Sequence, residues 1–193
     1  MHPQPPRRST HVTGSPRSMV VFDRWGEFGR PVVLLHGLLL DRTMWWPAAA
    51  ELIATASCTV VAPDLPGHGQ SPARDDYGVE RLARDLAVLV NGLNLHRAPV
   101  VVGHAESARL AMAFADAYRT HCVVTLETPA EPREVPDELR PYAEPRADRR
   151  LLQAYGSWLP QPAMAGGSAP TRTGSFLPLT DPAGFAGELR TLL

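Results

Sequence analysis

The stretch VVVGHAESARLAMAFA, residues 100–115, changes character in its middle. Val100–Val102 is a wholly apolar, β-branched run. Gly103 and His104 follow, and beyond Ala105 the apolar residues recur at helical spacing, through Leu110, Ala111 and Phe114. A buried strand that runs through a tight turn into an amphipathic helix is the start of a parallel-sheet unit. The pattern repeats outward in both directions. MVVFD (19–23), PVVLLHG (31–37), CTVVAPD (58–64), PVVVGH (99–104) and CVVTLE (122–127) read as strands. DRTMWWPAAAELIATA (41–56) reads as a helix with Pro47 near its start. VERLARDLAVLVNGL (79–93) places Leu82, Leu86, Leu89, Val90 and Leu93 on one helical face, ended by Asn91-Gly92 and Asn94. Apolar strands alternating with helices define an α/β protein, a parallel-rich sheet with helices on both faces.

With 193 residues the chain has room for one domain and a sizeable core. Hydrophobic residues make up 44% and charged residues 20%, an ordinary globular balance. A net charge of −1 gives no reason to expect nucleic acid or an anionic membrane as partner. All of the basic residues are arginine, which reads as coding bias. Cys58 and Cys122 sit in or beside apolar runs and read as free thiols. No apolar run approaches the ~18 residues of a membrane span. The opening MHPQPPRRSTHVTGSPRS lacks the apolar core of a secretion signal, so residues 1–18 are expected to form a disordered arm and the protein to be cytoplasmic. Residues 19–193 then form a single domain. Order fades after Glu127: 137–159 is helical but interrupted by Pro141 and Pro145, and 160–175 has no strand pattern. The last helix, from Pro182, is expected to be capped by Asp181.

Four segments in this order, VVLLHGLLLDRTMW, VVAPDLPGHGQS, VVVGHAESARLAMAFA and GSFLPLTDPAGFAGELRTLL, resemble the α/β-hydrolase superfamily, most closely its esterase, haloperoxidase and epoxide-hydrolase branch. The resemblance spans roughly residues 19–130 and returns at 174–193. It implies a serine in the strand-to-helix turn G-x-S-x-G, a histidine to take its proton, and a carboxylate to orient the histidine. Ala105 stands at the nucleophile position and Ser175 at the histidine position, and none of the seven histidines lies beyond His121. The carboxylate has no strand to carry it between Gly156 and Gly174, so the C-terminal part reads as truncated, with 137–175 a reduced cap. Glu127, at the end of the preceding strand, is the alternative acid.

The resemblance further implies an oxyanion hole built from the backbone N–H groups of Leu38 and Glu106. His36 belongs to the loop carrying Leu38, and His104 precedes the turn. Ser107 replaces a glycine that packs on the sheet, and Glu106 stands where a residue often borders the pocket, as a candidate catalytic carboxylate that would position a donor substrate or act as acid or base. With the serine and histidine positions empty, the expected function is non-hydrolytic binding of a small apolar or acyl compound. One alternative is acyl transfer or cyclisation in natural-product biosynthesis, on an acyl or thioester substrate, free or linked to a carrier protein. The other is a serine hydrolase whose nucleophile has been replaced by alanine. No motif calls for a metal or a cofactor.

Overall fold

The structure is a computed structural model and describes residues 7–16, 18–38, 40–126, 151, 153, 155, 171–172 and 177–193. Seven strands form one sheet: β1 (Arg8–Thr13), β2 (Val20–Trp25), β3 (Arg30–Leu35), β4 (Cys58–Pro63), β5 (Val100–His104), β6 (Cys122–Leu126) and β7 (Thr171–Arg172). Their order is β1-β2-β4-β3-β5-β6-β7. β1 and β2 pair antiparallel, as do β2 and β4; every later pairing is parallel. The helices are α1 (Trp46–Thr55), α2 (Val79–Gly92), α3 (Ala108–Ala117), α4 (Leu177–Thr180) and α5 (Pro182–Arg190).

Alternate residues of each strand supply two separate cores, as the period of a strand requires. Val33, Leu35, Val61, Val101 and Val123 pack beneath α2 and α3. Val32, Leu34, Val60, Val100, Val102 and Val124 pack beneath α1 and α5. This is why Val100–Val102 contains no polar residue: both faces of β5 are covered, and all three valines are 0% exposed. The helix ends follow local chemistry. Asp181 accepts from the Gly184 N–H at 3.0 Å with Pro182 in the first turn, and Asn94, just beyond α2, adopts the left-handed φ of 54°. Cys58 is a buried free thiol and Cys122 a partly buried one. Among the described residues no helix is long and apolar enough to cross a membrane.

Two expectations need correction. Residues 8–13 are not a disordered arm but strand β1, in register with β2 from Arg8↔Trp25 to Thr13↔Val20. Its side chains are almost all exposed, so no apolar period betrays it. The backbone ladder holds it, helped by the Arg8 guanidinium 3.7 Å over the Trp46 ring and by His11 stacked on Phe22. The second correction lies in the segment 160–175, where Thr171–Arg172 forms a short parallel pairing with Thr125–Leu126. Two residues are too few to carry a readable alternation.

A buried charge network ties the antiparallel hairpin to the sheet. Arg42 lies between Asp23 and Asp64, both 0% exposed, with its Nε 3.2 Å from Asp23 and its Nη1 paired with Asp64. Asp64 also accepts from the backbone N–H of Arg42 at 2.9 Å and of Gln70 at 2.8 Å. Asp23 takes Trp46 Nε1–H at 2.8 Å and the Thr10 hydroxyl at 2.6 Å. Removing Arg42 leaves buried Asp64 without a cation and Asp23 with only the more exposed Arg8, 3.6 Å away. Arg42→Ala is therefore expected to cost about 3–5 kcal/mol, read as a lower urea midpoint at unchanged slope.

Candidate active site

β5 ends at His104 in extended backbone (φ −96°, ψ 131°), and the chain then turns abruptly at Ala105, whose φ is +51°. Ala105–Ser107 forms a single 3-10 turn before α3 begins. Alanine does not favour a positive φ, which costs ~1–2 kcal/mol, so the surroundings impose it. Gly103 is what allows the helix to start so close to the strand. A Cβ there would fall 2.6 Å from both Ala108 Cα and the Ser107 carbonyl oxygen. Ser107 is buried, and its Oγ lies 2.9 Å from the carbonyl oxygens of Leu35 and His104, fastening the turn to β3.

The loop after β3 closes over the turn. A Cβ added to Gly37 would come 3.1 Å from Ala105 Cβ and 2.8 Å from His104 Nδ1. Gly37 thus brings Leu38 against the elbow, where an oxyanion donor belongs. The Leu38 N–H donates to Glu106 Oε2 at 3.0 Å. Glu106 is only 7% exposed. Its side chain folds back across the turn and takes up the donor that the sequence reading left open. Nothing in the local sequence signals this contact, because its partner lies 68 residues away.

His36 is fully buried and both its nitrogens are engaged. Nε2 accepts from the Leu65 N–H at 2.9 Å, so the ring proton sits on Nδ1 and is donated to the Gly37 carbonyl at 2.8 Å. Burial lowers its pKa to about 4, against the opposing Gly37 hydrogen bond. This ring locks the loop carrying Leu38 and has no lone pair left for a substrate proton. His68 meets the His36 ring edge-on at 4.9 Å and the Tyr155 ring at 5.0 Å. Burial, with His36 nearby, lowers its pKa to about 3. Tyr155 donates to the Pro66 carbonyl at 3.0 Å, and with Leu151 it packs over the loop after β4. Sequence reading did not single out His68 or Tyr155. His104 is buried, edge-on to Trp45 at 6.4 Å. Ser175 and Glu127 lie outside the described residues, so the structure brings together Ala105, Glu106, Ser107, His36 and Leu38 alone. A cavity of about 20 Å³ between the loop after β4 and α2 has room for a single water and is not lined by Ala105.

A sheet of this order, with its turn at the end of β5 facing the loop after β3, is the framework of a large family. The sequence profile described as "Alpha/beta hydrolase family" matches residues 32–192, and the chain belongs to that family. It is 39% identical over 88 residues to an uncharacterised protein of Mycobacterium tuberculosis, covering 45% of this chain and 25% of that one. It is 36% identical over 91 residues to a probable protein phosphatase methylesterase 1 of Caenorhabditis elegans, with the same coverage. Among solved structures, a thermophilic esterase from Thermogutta terrifontis aligns with a TM-score of 0.53 and 33% identity, over 66% of this chain and 48% of that one. The chain thus spans about a quarter of the length of these curated relatives.

Two outcomes follow from this geometry. If packing imposes the turn, Ala105→Gly should leave the fold intact and raise stability by up to about 1 kcal/mol, measured by urea unfolding. Acid should act through His36 and His68. Their folded pKa values lie below the ordinary 6.5, so between about pH 6.5 and pH 4 the unfolded chain binds more protons and stability falls as pH falls. The loss by pH 4 should be on the order of 2–3 kcal/mol per histidine. His68→Phe should flatten that slope in urea midpoints taken across the range.

Proposed function

We propose that this protein is a non-hydrolytic member of its family that binds a small apolar or acyl compound. The observation that carries the reading is the elbow itself. A methyl group, that of Ala105, occupies the position of the attacking atom, and the adjacent Leu38 N–H is already taken by Glu106. Acyl transfer to water needs an activated nucleophile and free donors for the developing negative oxygen. Neither requirement is met by the side chains at this turn. Ser175, at the family's histidine position, adds a second reason. His36 does not replace that base, since its lone pair is bound to the Leu65 N–H.

A second reading, acyl transfer or cyclisation with a substrate that brings its own nucleophile, is favoured by the left-handed turn at Ala105. The fold keeps that turn at a conformational cost although no serine uses it. In this reading the acyl group arrives as a thioester, free or on a carrier protein, the site contributes position, and the Leu38 donor serves once Glu106 releases it.

The decisive measurement is hydrolysis of p-nitrophenyl butyrate by the unmodified chain, by Ala105→Ser, and by Ala105→Ser with Ser175→His. The unmodified chain should match the buffer rate, and Ala105→Ser alone should show no burst. The double variant should exceed the single one, because the roles of a triad are strongly non-additive. A stoichiometric burst from Ala105→Ser would reveal a base already in place and identify a serine hydrolase that lacks only its nucleophile. Consumption of butyryl-thioester by the unmodified chain in the presence of an amine or alcohol acceptor would favour the second reading.

A further inference from the structure

We infer that Glu106 is a built-in occupant of the oxyanion position and the residue that sets the ligand selectivity of this site, turning it against carboxylates and towards neutral head groups that carry an N–H or O–H. The inference rests on the binding reading above and specifies the chemistry of what is bound.

In acyl-transfer sites two backbone N–H groups converge on an oxygen that becomes negative, at about 2.7–3.1 Å. The family resemblance assigns these two groups to Leu38 and Glu106. The oxygen found on the Leu38 donor is a carboxylate oxygen, at 3.0 Å, and it comes from the protein. It is the same kind of acceptor as the oxyanion or ligand carboxylate that would otherwise seek that N–H. The contact is made by tertiary structure alone, between the loop after β3 and the turn after β5, and it is buried. Among the described residues no arginine or histidine forms an ion pair with Glu106. Its charge is offset by the Leu38 N–H and by the start of the helical segment on which it sits.

A head group that seeks the Leu38 N–H competes with this carboxylate, whose Oε2 lies 3.0 Å from that donor. An anionic head group must either displace it from Leu38 or sit beside it, two like charges in a water-poor corner where screening is weak. A neutral head group with a hydroxyl or amide N–H faces no repulsion and finds an acceptor. The same carboxylate also explains why the elbow can keep its turn without remaining an open oxyanion hole.

The test uses the full-length chain labelled with ¹⁵N, following the Leu38 amide while hexanamide and hexanoate, matched in length, are added. In Glu106→Ala the Leu38 amide, freed of its 3.0 Å acceptor, should shift from its position in the unmodified chain. Hexanamide should bind the unmodified chain, and hexanoate should bind it at least tenfold more weakly. In Glu106→Gln, which keeps the shape and loses the charge, and in Glu106→Ala, which frees the donor, hexanoate should gain tenfold or more and shift the Leu38 amide. Dispersed spectra report that the variants fold, and the preference of the unmodified chain for hexanamide over hexanoate stands without them. A Leu38 amide unmoved by Glu106→Ala, or equal hexanoate affinity in all three proteins, would overturn the inference while leaving the binding reading intact. A hexanoate gain in the variants with no hexanamide binding to the unmodified chain would sustain the role of Glu106 and sink the neutral acyl ligand.

Discussion

Ala105 is held in a left-handed conformation that its side chain disfavours, and the rest of the site depends on that constraint. Gly103 admits the first turn of α3 against the strand, the Ser107 hydroxyl anchors the turn to Leu35, and Gly37 closes over Ala105. The last two contacts tie the turn after β5 to β3 and its loop, and β3 and β5 lie at the middle of the sheet. These strands are buried on both faces by α1 and α5 on one side and α2 and α3 on the other, so the turn cannot relax without disturbing both cores. A conformational cost of ~1–2 kcal/mol is small beside that packing.

Around this turn polar groups serve structure first. His36 spends both nitrogens on the backbone, Ser107 spends its hydroxyl on two carbonyl oxygens, and Arg42 lies between two buried aspartates. Buried polar groups of this kind specify one arrangement because leaving any of them unmatched is costly. Glu106 differs from them in position. Its carboxylate satisfies Leu38, as a structural group would, yet it does so where the chemistry of the family takes place. A residue that completes the backbone's hydrogen bonding can thereby decide what a site admits.

The alternation of strands and helices was legible because it follows from burial: apolar runs for strands covered twice, a helical stripe at Leu82, Leu86, Leu89 and Val90 for a helix covered once. β1 was not legible, since an edge strand with exposed side chains is specified by its ladder and not by apolar period. Thr171–Arg172 was too short to read. Within the site, the turn residue and the place of Leu38 followed from the resemblance of the motifs to the family. The contact between Glu106 and Leu38 could not, because a side-chain hydrogen bond across 68 residues leaves no mark on local periodicity.

The sequence by itself determined the class of fold and the alternation of strands and helices from β2 to β6, properties of residue type at a given spacing, and its resemblance to the family marked alanine where a nucleophile is expected. Only the tertiary structure decided what those residues face. It fixed the tautomer of His36 through the Leu65 N–H, brought Asp23 and Asp64 to the two sides of Arg42, and set the Glu106 carboxylate on the Leu38 donor. The reason is physical: periodicity encodes which side of an element is buried, whereas the partner of a polar group depends on how elements distant in sequence are brought together.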